Sequence, residues 1–272
     1  MVLSSFAAIH IAVACAAIGT MITTAETIRL WVAGAFGHEG LWSWRLIKEG
    51  YSPSTAALLA PIMSESAVLI ILMARFLCSV SIIVLYVFRS SAIGPLFSLV
   101  LIHIFMRLRS KWGGEGGDQM ITLVVISGLV ADTWRDESAI VNAAALFIGA
   151  QITLSYVASG TAKLFGPLWR SGHALQKIMT QYTYGHHWLS QRLIRFPILG
   201  RILCYSVILF EASFFLFIVL PMPIALIYPI GGIVFHGAIS FFMRLNLFFI
   251  VFVGTYPCLF FTREVFRSWL RL

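Results

Sequence analysis

The chain has 272 residues, 60% of them hydrophobic and only 11% charged, with a net charge of +8 and a mean hydropathy of +0.92. A soluble domain carries about 25% charged residues, so this composition excludes an ordinary soluble globule and leaves an integral membrane protein with room for one membrane domain and little else. The Lys and Arg residues lie in short clusters between apolar stretches, the distribution of a membrane topology and not of a nucleic-acid groove.

The opening stretch MVLSSFAAIHIAVACAAIGT has the apolarity of a secretory leader but no basic segment before it, and the apolar character continues towards Trp31. It reads as a first membrane helix, not a cleaved leader. A spanning helix needs about 20 mostly apolar residues. Seven stretches suit that rule: 6–30, 66–88, 92–108, 118–134, 139–163, 202–228 and 231–260. The fourth is short. The seventh is long, contains Arg244, and is expected to break near Gly254 or Pro257.

Between these spans, residues 31–65 hold Trp31, Trp42 and Trp44, a Ser-Pro-Ser turn and a helix-like stretch from Thr55 to Glu65. Residues 164–201 mix aromatic and basic side chains, and both segments suit the headgroup layer. The expected fold is an all-α integral membrane protein: a polytopic bundle of about seven transmembrane helices with interfacial amphipathic segments, in one membrane domain over 1–272.

Alternation from the N-terminus assigns fifteen Lys and Arg residues to one side and only Arg89 and Arg135 to the other, with Arg75 and Arg244 inside helices. The richer side includes the groups at 29–48, 107–111, 163–201 and 263–271. The positive-inside rule then predicts a multi-pass protein of the cell membrane, N-terminus outside and C-terminus cytoplasmic.

Residues 139–162 contain no charged side chain, and the run ends in ASGTAKLFG. Gln151, Ser155, Ser159 and Lys163 recur every four residues, along one slowly drifting helical face. Polar groups in lipid need partners, so this face is expected to line the bundle interior or a cavity. Lys163 has two readings: a lysine snorkelling to the membrane surface, or a desolvated base. Lysine serves as a base only when neutral, which requires desolvation to pull its pKa down from about 10.4.

The segment KWGGEGGDQM places four glycines around Glu115 and puts Asp118 at the expected N-cap of the fourth span. Its glycines also let backbone approach a ligand closely, and topology puts the loop on the side of Lys163. Within the spans lie Glu65, Arg75, His103, Glu211, His236, Arg244 and Asn246, among which Glu211 and Arg244 make an attractive pair. His186 and His187, between Tyr182, Tyr184 and Trp188, fit an interfacial aromatic belt better than a metal site. The four cysteines are far apart in apolar surroundings and show no metal spacing.

YVASGTAKLFGPLWRSGHAL resembles the stretch of vitamin-K-dependent γ-glutamyl carboxylase that carries its catalytic base, with Lys163-Leu164, Trp169 and Gly172 in the matching places. FHGAISFFMRLNLFFIVFVGTYPCLFF resembles a later helix of the same family, including its Phe-His start and the proline near its end. With GGDQ at 116–119, residues 100–262 are similar to the bacterial horizontally transferred transmembrane (HTTM) domain, whose small SdpB-type members help mature a secreted peptide toxin. The resemblance implies Lys163 as general base; with it, Asp118 on the same membrane side is the expected orienter or charge partner, and His236 an expected proton relay. It also implies a reduced quinone as cofactor. The chain departs from the carboxylases in having Gly117-Asp118 where they carry an Asn-Asn-His element, and in lacking their large extramembrane domain.

The expected site is a polar pocket between the fourth, fifth and seventh spans. Lys163, Asp118 and His236 form its catalytic set, Gln151, Ser155, Ser159, Glu115, Glu211 and Arg244 line it, and Trp169, Tyr182 and Tyr184 hold the neighbouring segment at the interface. The expected partners are the lipid bilayer, a protein that presents substrate, and a peptide substrate, with no nucleic acid and no metal. The rival expectations are a non-catalytic scaffold or immunity-like subunit binding a partner or lipid, and a transporter, for which no internal repeat is found.

Overall fold

The computed structural model describes residues 4–109 and 116–270, and helix is the only regular element among them. Five helical stretches are long and apolar enough to cross a membrane: Ser5–Val32, Glu65–Val87, Ser138–Phe165, Met222–Met243 and Asn246–Leu270. A bent pair, His187–Arg195 with Pro197–Ala212, turns by 110° and makes a sixth if taken as one span. The chain is all-helical, with the character of a membrane protein. Two compact units divide it, His10–Val141 and Asn142–Leu272, the latter with Met1–Ile9.

In the first unit, α1 (Ser5–Val32) leads through the short α2 (Trp44–Ile47) to α3 (Pro53–Met63). There follow α4 (Glu65–Val87), α5 (Ile93–Arg109) and α6 (Gly116–Thr133). The Ser-Pro-Ser turn starts α3 because Ser52 accepts the Thr55 N–H while Pro53 occupies the first helical position. Ser64 does the same for α4 through the Ala67 N–H. The buried stripe of α4 is Val68, Leu72, Arg75, Ser79 and Ile82, and that of α5 begins Leu96, Leu99, His103, both at the spacing of a helix packed on one side. The expected spans 92–108 and 118–134 are thus α5 and α6. At 17 residues α5 is short, and the 18 residues of α6 include Asp118 and Asp132.

Arg109 closes one end of this unit. Its guanidinium donates to the carbonyls of Met63 at 2.9 Å and Trp42 at 2.7 Å and lies over the Phe36 ring. A helix end leaves carbonyls unpaired, and here an arginine supplies the donors. At the other end Asp132 accepts the Ala92 N–H at 2.6 Å, and His10 stacks on Tyr86.

In the second unit α7 (Ser138–Phe165) is followed by α8 (Pro167–Arg170), α9 (Ala174–Met179), α10 (His187–Arg195) and α11 (Pro197–Ala212). Then come α12 (Leu216–Val219), α13 (Met222–Ala225), α14 (Ile227–Met243), α15 (Asn246–Gly254) and α16 (Tyr256–Leu270). Contacts fix their directions. Gly149 lies against Thr262 and Tyr156 against Tyr256, while Tyr156 stacks on Phe214 and Gly160 meets Ala212. Hence α7 runs opposite to both α11 and α15–α16. Phe210 packs by Gly231 and Phe235, and Phe214 by Tyr228, so α11 and α14 are also antiparallel.

Two expectations need correction here. The run 202–228 is not one helix: it comprises most of α11, then α12 and α13, interrupted at Ser213 and again at Leu220–Pro221. The run 231–260 breaks near Gly254 and Pro257 as expected, at Thr255, but it also folds back on itself at Arg244, which takes the left-handed conformation at φ 61°. The hairpin brings His236 of α14 against Phe248 and Phe252 of α15. This adds a reversal absent from the seven-span scheme. Arg263 donates to the carbonyls of Phe217 and Leu220, and Arg267 to that of Val219, so both sit at the end of the unit away from Lys163. Arg263 and Arg267 therefore do not lie at the Lys163 end, where the sequence count grouped them. Arg244, expected inside a helix, joins the turn at the Lys163 end.

Gly160 is required by the crossing of α7 and α11: a Cβ there would collide with the backbone of Glu211 and Ala212. Gly160→Val is expected to destabilise the protein by about 1–3 kcal/mol, seen as a lower thermal midpoint in detergent. Gly94→Ala, where a Cβ meets nothing within 4 Å, is the control and should leave the midpoint unchanged.

Candidate functional site

Where α7 crosses α11, the Lys163 ammonium donates to Glu211 Oε2 at 2.6 Å and to the Ser159 hydroxyl. Ser159 lies 3.4 Å from Glu211 Oε1, so lysine, serine and carboxylate close a three-membered cluster. The Trp169 ring lies 5.2 Å from Nζ, adding its negative π face to one side of the cation. Only 18% of the lysine side chain and 5% of the glutamate are exposed. The contact exists because Gly160, one residue past Ser159, has no side chain to hold the two helices apart.

One turn back along α7, the Tyr156 hydroxyl bonds His236 Nε2 at 2.8 Å and the Tyr256 hydroxyl at 3.1 Å. Tyr156 is buried and lies within the electrostatic reach of Glu211. A Cβ at Gly232 would strike both tyrosine hydroxyls, so the glycine is what admits them. The rings of Phe210, Phe214 and Phe252 surround this chain of hydroxyls and imidazole, and Nδ1 of His236 has no hydrogen-bond partner among the described residues. A polar line so enclosed can hold or pass a proton.

The expected site is partly assembled. Lys163, Ser159, Glu211 and Trp169 meet as one group, and His236 heads the neighbouring chain through Tyr156. Glu211 takes Lys163 as its partner and not Arg244, which occupies the α14–α15 turn. The carboxylate facing Lys163 therefore comes from α11 and not from the fourth span. Asp118 belongs to the first unit, in the first turn of α6 and not at its N-cap, within the electrostatic reach of Arg75. Glu115 lies outside the described residues. Gln151 and Ser155 stay half-buried, with the Ser155 hydroxyl turned to the Gln151 carbonyl. Tyr182 is fully exposed and Tyr184 half-buried, while His186 accepts the Leu189 N–H at the start of α10.

Tyr156, Tyr256 and Gly232 are absent from the expected site. The polar stripe drew attention to 151, 155, 159 and 163, whereas the fully buried ridge is Ile148, Ile152, Tyr156 and Gly160, rotated by one residue. A tyrosine in such a run passes for an aromatic core residue, and only its neighbours reveal its hydroxyl chemistry.

A separate open groove of about 400 Å³ lies on the α14–α15 hairpin, lined by Gly237, Ser240, Phe241, Asn246 and Phe249. Ser240 donates to the Asn246 amide oxygen at 2.7 Å on its wall. Comparison with protein-family models, with curated proteins and with solved structures returns no match.

Removing one partner of a buried ion pair costs about 3–5 kcal/mol, because the other charge is left uncompensated. Lys163→Met and Glu211→Gln are each expected to destabilise the protein on that scale, and the double variant by clearly less than their sum. A double-mutant cycle from thermal unfolding in detergent measures the coupling; additive losses would show that the two groups act independently.

Proposed function

We propose that the chain is a multi-pass membrane enzyme subunit that modifies or matures a secreted peptide, with the Lys163–Glu211 pair as its acid–base centre. The observation that carries this reading is a nearly enclosed lysine–carboxylate pair in hydrogen-bond contact, set beside a buried His-Tyr-Tyr chain. The resemblance of residues 156–175 and 235–261 to the HTTM and γ-carboxylase family supports it, since Lys163 occupies the base position of that pattern.

In the proposed reaction, transfer of one proton from Lys163 Nζ to Glu211 Oε2 leaves a neutral amine and a neutral carboxylic acid. The amine then accepts a proton from the substrate, and Glu211 gives its own to the departing product, which restores the ammonium–carboxylate pair. Ser159 fixes the amine's direction, Trp169 shields it, and the Tyr156–His236 chain stabilises charge on the carboxylate side. Asp118 acts on Arg75 in the first unit and takes no part in this step.

The α14–α15 groove fits a quinol ring, with aromatic walls and the Ser240–Asn246 pair as hydrogen-bonding groups, at a volume typical of small-molecule sites. Such a ring would supply reducing equivalents. Lys163 does not line the groove. A partner protein presents the peptide, and the cell membrane holds the chain with the basic segment 163–201 on the cytoplasmic side.

A second reading has its own observation. Ser159, Glu211 and the Trp169 ring already surround the lysine, which suffices to staple α7 to α11 in a non-catalytic scaffold or immunity-like subunit. Mass spectrometry of peptides from cells expressing the chain with its genomic neighbours separates the two. Catalysis predicts that Lys163→Ala and Lys163→Arg, at membrane levels equal to wild type, lower product at least a hundredfold. Normal product from Lys163→Arg would establish the staple.

A further inference from the structure

The first unit buries a cation of its own. Arg75 stands midway along α4 and is 5% exposed, and His103, midway along α5, is also 5% exposed. Both occupy the inward stripes by which α4 and α5 pack, between Leu72 and Ser79 on one helix and after Leu99 on the other. The two lie within electrostatic reach of each other, and Asp118 of α6 lies within reach of Arg75.

The buried arginines elsewhere have found acceptors: Arg109 holds the carbonyls of Met63 and Trp42, and Arg263 those of Phe217 and Leu220. Arg75 has none among the described residues. Its Nε is buried and unpartnered, no hydrogen bond joins it to another described residue, and the ion pairs among those residues are His10–Asp132 and Lys163–Glu211. Both ring nitrogens of His103 are likewise unpartnered. A buried guanidinium without contact compensation costs several kcal/mol, and a neutral imidazole brings one N–H donor that needs an acceptor. Charges in membrane helices pair or mark a binding place or pathway. The unmet donors of this cluster, the buried guanidinium N–H and the imidazole N–H, are met by one negatively charged acceptor.

We propose that the first unit binds a small monovalent anion, a halide or the carboxylate of a small acid, between α4 and α5, with Arg75 as its charge partner and His103 as a hydrogen-bond donor. Asp118 sets the affinity from a distance: its negative field works against the ligand and keeps binding reversible. The proposal does not depend on the Lys163 chemistry.

The test uses the full chain in nanodiscs of neutral lipid at fixed ionic strength, titrating sodium chloride or sodium formate against sodium gluconate, a bulkier anion. The wild type is expected to show a saturable rise of thermal midpoint with chloride, formate or both, and none with gluconate. A response to chloride alone identifies a halide site, and one to formate alone a carboxylate site. Arg75→Gln should weaken the response at least tenfold, Arg75→Lys should retain it, and Asp118→Asn should shift the titration to severalfold lower concentration. A wild type indifferent to both probes, an unchanged response in Arg75→Gln, or a loss of response in Asp118→Asn would overturn the proposal. The Arg75→Lys and Asp118→Asn variants keep the question decidable should Arg75→Gln not fold.

Discussion

The closeness of α7 and α11 at Gly160 is the constraint on which the rest of the second unit depends. A missing side chain there brings Lys163 within 2.6 Å of a glutamate that would otherwise sit uncompensated in an apolar bundle. The same approach seats Tyr156 among Phe210, Phe214 and His236. Packing and electrostatics are one fact at this crossing: the helices meet because glycine permits it, and the ion pair makes their separation costly.

Elsewhere the chain solves a recurrent problem in a uniform way. Short or broken helices expose carbonyls, which cannot be left unpaired away from water. Arg109 serves the end of α3, while Arg263 and Arg267 serve α12. Two of these arginines lie over aromatic rings, Phe36 and Phe217, which cover one face of the guanidinium. Cations that look like topology signals in the sequence are thus partly internal fasteners, which weakens a count of basic residues as a guide to sidedness.

Much of the helical framework was legible because long apolar runs leave few alternatives. The first, second and fifth expected spans agree with α1, α4 and α7 to within two residues. The Ser-Pro-Ser turn announced the start of α3, whereas the cap at Ser64 went unread and the stretch from Thr55 was carried across it to Glu65. The hairpin was not legible, because nothing in Phe-Met-Arg-Leu-Asn says that an arginine will adopt φ 61° without a glycine to invite it. In the site, Lys163 and Ser159 declared themselves as polar residues at helical spacing. Glu211 was visible as a buried charge, but its partner was chosen by a helix crossing that no local pattern encodes.

The turn at Arg244 also bears on how the protein is made. Between Glu211 and Arg263 the sequence carries no charged side chain except this one. As the nascent chain enters the bilayer, Arg244 is therefore the sole electrostatic marker of where one apolar segment ends and the next begins. The one charge in this long apolar stretch thus coincides with the turn that separates α14 from α15.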